Sequence, residues 1–223
     1  MTIQSDTTVG RIATEYPLAT RVFSRHEIDF CCGGGKPLAE VCAEKGLSSE
    51  TILAEIQEEI ADKDTDIERW DEMPLADLIE HILVNYHRPL DAELPRLAAM
   101  ARKVVDVHGD KMPEVLPEIL STFLGLRAEL EAHFPKEEQI LFPMILRGEG
   151  AMADGPISVM EAEHEGAGEL LKRLRELTHG YEVPEEACNT WRALWHGLAD
   201  LESSLHRHIH LENNILFPRA LAS

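Results

Sequence analysis

The sequence predicts an all-α fold: an up-down-up-down four-helix bundle with a small N-terminal helical domain. Three observations predict it. Apolar residues recur at helical spacing, whereas aromatics make up only 5% of the 223 residues and β-branched runs are scarce. Four long periodic segments follow one another between loops that carry Gly and Pro. Finally, His133-x-x-x-Glu137 with Gln139-Ile140-Leu141-Phe142-Pro143 returns as His208-x-x-x-Glu212 with Asn214-Ile215-Leu216-Phe217-Pro218, at an offset of 75 residues throughout. A repeat with one conserved offset reads as an internal duplication built around a site.

The small domain spans residues 1–66. One helix runs through Leu18, Val22 and Phe23. Cys31-Cys32-Gly33-Gly34-Gly35 is a loop, because each helical glycine costs about 1 kcal/mol. It is expected to be pliant and exposed. Pro37 suits the first turn of a second helix, Leu38 to Lys45, which Gly46 ends. Ser48 or Ser49 caps a third helix, Thr51 to Ala61. The polar, mostly acidic stretch 62–73 has no apolar periodicity and marks the boundary. The bundle fills 74–223. Helix A runs from near Pro74 to about Val107, helix B from about Glu114 to Phe142, helix C from about Ile157 to Leu177, and helix D from about Pro184 to Phe217.

Residues i and i+4 of a helix lie about 40° apart, so each His-x-x-x-Glu presents an imidazole and a carboxylate on one face. Leu130, Ile140 and Leu141 in B, and Leu205, Ile209 and Ile215 in D, place those faces near the core. A carboxylate there needs a partner, and a cation supplies one. Helices A and C each add a histidine, His87 and His164, at a separation of 77 residues. The candidate metal ligands are therefore His87, His133, Glu137, His164, His208 and Glu212. Nitrogen and oxygen donors with no cysteine nearby favour iron, with manganese and zinc behind it. If both carboxylates bridge and each ion takes two histidines, an oxo or hydroxo bridge makes five donors per iron and leaves a position open.

The other histidines fail the angular test. His206 and His210 lie about 200° from His208 and read as surface or structural residues. His81 sits about 120° off the His87 face and is the reserve candidate. His108 and His179 fall in loops. Glu129, four residues before His133, and Glu163, beside His164, are candidate outer partners or proton carriers; exposed acids on an acidic protein fit equally. Pro89 and Pro135 each follow a candidate ligand by two residues and are expected to kink the helix, or, at Pro89, to break it.

Cys31 and Cys32 are adjacent rather than spaced as C-x-x-C, so no zinc knuckle is indicated. They are candidates for thiol transfer of iron, sulfur or electrons, or else a redox-sensitive loop. Cys42 and Cys188 read as small core residues. The formal charge of −20 disfavours nucleic acid and anionic lipid as partners. No basic segment followed by an apolar core opens the chain, and no apolar run is long enough to span a membrane. The expected location is the cytoplasm, with reduced thiols, and a homodimer is the one assembly entertained.

The two HHE-type repeats, each followed by Ile-Leu-Phe-Pro, resemble the hemerythrin-like cation-binding fold. The loop Asp29-Phe30-Cys31-Cys32-Gly33-Gly34 resembles the small N-terminal domain of the iron–sulfur cluster repair di-iron proteins. Together they cover nearly the whole chain. The resemblance implies two iron ions on the six residues above, matching that family's four-His, two-Glu set. It implies repair of iron–sulfur proteins damaged by nitrosative or oxidative stress, with iron donated, or nitric oxide bound or reduced. Oxygen-carrying hemerythrins use a fifth histidine, which is not well placed here. Three functions follow: an iron donor, a nitric oxide reductase, or a sensor that binds oxygen or nitric oxide reversibly.

Overall fold

The computed structural model describes residues 3–61 and 69–223, so most of the stretch expected to mark the domain boundary lies outside the described residues. Four helices build the N-terminal unit: α1 (Val9–Glu15), α2 (Ala19–Arg25), α3 (Leu38–Lys45) and α4 (Ser49–Ala61). Sequence reading finds the last three and misses α1, whose seven residues carry no side-chain cap. α1 is held from outside: Val9 and Gly10 donate backbone hydrogen bonds to Lys36 and Gly34, and Leu38 donates to Thr7. Gly46 ends α3 at φ +68°, a conformation that costs other residues strain. Ser48 Oγ caps α4 by accepting from the Thr51 amide at 3.3 Å. Val9, Ile12, Val22, Phe23, Phe30, Leu38 and Ile52 fill this unit's own core.

The bundle follows as predicted, with helices that run longer at several ends. Helix A comprises α5 (Leu75–Ile82), a π-turn (Leu83–His87) and α6 (Arg88–His108). Helix B comprises α7 (Val115–Lys136), a π-turn (Glu137–Leu141) and α8 (Phe142–Leu146). Helix C is α9 (Asp154–Leu177), and helix D comprises α10 (Asn189–Leu211), a π-turn (Glu212–Leu216) and α11 (Phe217–Leu221). Helix D starts five residues later than expected because Pro184–Ala187 close a turn instead, Ala187 donating to the Pro184 carbonyl. Helix A does not break at Pro89. A regular helix would drive the proline ring into the carbonyl four residues back, and the wider π-turn moves that carbonyl away. Pro143 and Pro218 stand likewise two residues after the π-turns of B and D. Pro135 lies inside α7 with no π-turn before it.

Each helix has two apolar stretches that feed different cores. One core holds Leu94, Leu97, Phe123, Leu126, Leu171, Trp191 and Trp195; the other holds Leu78, Ile82, Phe142, Ile157, Leu216 and Phe217. Along every helix the candidate ligand falls in the seam between them: His87 between Ile82 and Leu90, His133 between Leu130 and Leu141, His164 between Met160 and Ala167, His208 between Leu205 and Leu211. The packing that makes the bundle thus leaves one polar layer across it. Among the described residues no helix is long and apolar enough to cross a membrane.

Candidate metal centre

The layer contains two clusters, His87, Glu137, His208, Glu212 and His133, Glu137, His164, Glu212. In each, one ligand atom per residue lies within 4.8 Å of the others, and all the members are buried. Glu137 and Glu212 belong to both and are 0% exposed. All six sequence-predicted ligands are therefore brought together, two helices supplying a His and a Glu and two supplying a His alone.

The local geometry follows from the π-turns. His87 ends one, while Glu137 and Glu212 begin the other two. His208 Nε2 lies 3.0 Å from Glu212 Oε1, and His164 Nε2 lies 3.3 Å from Glu212 Oε2. His133 Nε2 and His87 Nε2 lie 3.3 and 3.5 Å from the two oxygens of Glu137. The imidazoles also meet in pairs: His87 and His208 at 3.1 Å between Nε2 atoms, and His133 and His164 at 3.1 Å.

Three of the four histidines are fixed from behind. His87 Nδ1 faces Glu138 at 2.9 Å, His133 Nδ1 faces Glu163 at 2.8 Å, and His164 Nδ1 faces Asn213 Oδ1 at 2.8 Å. Each of those partners accepts, so Nδ1 carries the proton and, in the neutral imidazole that binds a metal, Nε2 turns a lone pair inward. Two inward lone pairs 3.1 Å apart cannot hydrogen-bond to one another. Both Glu137 oxygens and Glu212 Oε2 have no hydrogen-bond donor. A buried layer lined by acceptors is what a cation needs and what a proton-poor core would not tolerate. The residues fit a pair of metal ions on that observation.

Without a metal the same carboxylates draw protons into the layer instead. Burial and the nearby Glu212 push the Glu137 carboxyl up. Burial opposes ionisation of Glu212 too, but His208 and His164 outweigh it and hold that carboxyl well below the usual range. Burial and His208 lower His87 to about 4. Burial also works against His133, yet Glu137 and Glu212 raise it to about 9. Paired carboxylates pull positive charge into the layer against the cost of burial.

Of the two candidate acids, Glu163 bonds His133 and also pairs with Lys136. Glu129 touches no ligand; it is exposed and lines a cavity of about 320 Å³ that reaches His133, His164 and His208. Sequence reading missed Glu138 and Asn213. Their signal was present, since each directly follows the Glu of its repeat. His81 stays outside both clusters, stacked on Trp70 at 4.0 Å and bonded to Asn85.

Two readings are resolved and two need correction. Of the two alternatives for His206 and His210, surface or structural, the structure takes the second: both pack edge-on against Phe30, and buried His210 bonds the Phe30 carbonyl at 3.2 Å. The glycine loop is not freely exposed, because Cys31 and Gly34 are buried. Cys31 Sγ donates to Asp29 at 3.2 Å, and Cys32 together with burial pushes its thiol well above the ordinary range. Half-buried Cys32 rests near Gly168 of helix C, one turn beyond His164. Cys42 is core as expected, but Cys188 is exposed, caps α10 and meets His108, the last residue of α6, at 3.2 Å.

Comparison with known proteins follows this geometry. The hemerythrin HHE cation binding domain matches residues 78–220, and a domain of unknown function (ScdA_N) matches residues 5–60. Iron–sulfur cluster repair proteins YtfE of Escherichia coli and Shigella boydii are each 47% identical over 221 residues, covering 97% of this chain and 97% of theirs. The chain belongs to the YtfE family of iron–sulfur cluster repair proteins. The Citrobacter koseri YtfE is 46% identical with the same coverage. The two family models match this chain one after the other, and the hemerythrin match contains all six residues of the two clusters.

Proposed function

We propose that this YtfE family member repairs iron–sulfur clusters by supplying iron from a two-iron seat. In this reading His87 and His208 hold one iron, His133 and His164 the other, and Glu137 and Glu212 join them, with the oxo or hydroxo bridge that ligand counting expects. The observation that carries it is the pair of buried clusters sharing both carboxylates, lined by inward-facing lone pairs. Iron held there supplies a ferrous or ferric ion for a damaged cluster. The chain's residues do the rest. Glu138, Glu163 and Asn213 orient three imidazoles, and the cavity beside His133 and His164 gives a route past Glu129 and Glu163. Cys31 and Cys32 are the candidate thiols for handing iron on. The clients are damaged iron–sulfur proteins, the setting is the cytoplasm, and the chain divides into a domain of residues 1–66 and one of residues 74–223.

A second reading is nitric oxide reduction. The cavity favours it, since Leu130, Phe134, Ala167, Leu205 and Ile209 give it an apolar lining suited to a small uncharged gas. Anaerobic nitric oxide addition to the reduced, iron-loaded protein separates the two. Iron release to an apo-cluster acceptor without nitrous oxide supports donation, and nitrous oxide without iron loss supports reduction. Release of neither would leave a sensor.

A further inference from the structure

The histidines that fail the ligand test, His206 and His210, begin a second stripe along helix D that ends at Asn214, each member four residues from the last. It faces the N-terminal unit. His210 Nδ1 bonds the Phe30 carbonyl, and Asn214 Nδ2 donates to the carbonyls of Phe30 and Cys31 at 3.3 and 3.0 Å. The Asn214 amide sits so tightly between Gly10 and Gly34 that a Cβ on either would lie 2.1 or 2.5 Å from its oxygen. Only glycine admits it at either position.

Asn214 stands on the same π-turn as Glu212. Three consecutive residues therefore serve three places. Glu212 is shared by both clusters, Asn213 bonds His164, and Asn214 holds the backbone of Cys31. The other copy of the repeat has no such arm: Gln139, the counterpart of Asn214, is exposed.

We propose that the Glu212–Leu216 π-turn links metal occupancy to the Cys31–Cys32 loop, with His210 and Asn214 as its positioning residues. A cation between Glu137 and Glu212 ties two buried like charges together and steadies the turn. Without it the two carboxylates lose the ion that ties them together, and the turn and the loop it holds open more often. The thiols are thus more accessible once iron has left. This inference rests on the six residues being the iron seat.

The test is alkylation of the full-length protein by iodoacetamide, metal-free and iron-loaded, with peptide mapping of each cysteine and iron measured in the same samples. Iron loading should slow labelling of Cys31 and Cys32 roughly fivefold, the scale of one net hydrogen bond. Asn214→Ala should label fast in both forms, with iron content and absorption spectrum kept and buried Cys42 still protected. Asn214→Asp, equal in size but without the donors, should behave the same and replaces the alanine variant if that fails to fold. Equal labelling of the unaltered protein with iron bound, or an iron-dependent difference that survives in the Asn214 variants, overturns the link. Failure to bind iron at all would instead overturn the two-iron seat.

Discussion

The two clusters are copies of one another, and they are held differently. The internal repeat exchanges His87 with His164 and His133 with His208, so it swaps the His87/His208 cluster for the His133/His164 cluster. The inner atoms match, but the outer partners do not. His87 leans on the carboxylate of Glu138, backed by Arg88 at 2.7 Å, where its counterpart His164 leans on the neutral amide of Asn213. His133 leans on Glu163, where its counterpart His208 has an Nδ1 with no hydrogen-bond partner and the Tyr86 ring stacked at 5.4 Å. One cluster therefore has both imidazoles oriented and the other only one. Duplication preserved the ligands and let the supports drift. For an iron donor this difference has a use, because an ion on a loosely held imidazole leaves first.

The strongest way to break the comparison is to strike what the clusters share. Glu137→Gln removes charge from both at once, so iron content should fall from two per chain to below one. A histidine variant, His164→Ala, should spare one ion more than the other. The same Glu137→Gln change should make the metal-free protein more stable by about 2 kcal/mol, since it relieves a buried carboxylate beside Glu212. Denaturant midpoints of the metal-free proteins check this, and a less stable Gln variant would mean that Glu137 pairs with His133 more than it repels Glu212.

The next test sharpens the comparison. A chelator should remove iron in two phases, the faster from the His87/His208 cluster. Glu138→Gln should speed the fast phase and Glu163→Gln the slow one, each by about tenfold, the usual effect of losing a partner behind a ligand. Stopped-flow chelation reads both. A single phase in the unaltered protein, or both variants acting on one phase, would show the two seats to be equivalent.

Much of this was legible in the sequence, for physical reasons that also explain the gaps. Helical periodicity and the 75-residue offset located helices A to D and all six buried residues, because both signals are set within a helix. Leu38–Lys45 was read to the residue, since Gly46 supplies a positive φ that ends it. α1 was missed because its position is fixed by strand-like bonds to residues 34–38 rather than by its own caps. His206 and His210 could be read only as surface or structural because an angle on one helix reports only the direction of the bundle axis. It says nothing of a second domain packed on the far side. Ile140 was misread as well: expected near the core, it is 53% exposed, whereas its repeat equivalent Ile215 is 4% exposed within the bundle core.

The smallest expected effect concerns the prolines. Helices A, B and D carry π-turns followed by Pro89, Pro143 and Pro218, and helix C has no π-turn. Proline makes regular helical register costly at those points, by about 3 kcal/mol in a helix interior. It is not the only restraint. Restoring α register would rotate everything beyond the turn by about 100°, turning Phe142 and Ile145, or Phe217 and Ala220, out of their core. Burial of one such side chain contributes about 2 kcal/mol, and more than one would be turned out together, so packing at least matches the proline. Pro143→Ala and Pro218→Ala should therefore lower Tm by only about 2–4 °C, the equivalent of about 1 kcal/mol in a chain of this size, and keep two irons. Loss of iron in either variant would show that proline, rather than the core beyond it, holds Glu137 and Glu212 in register.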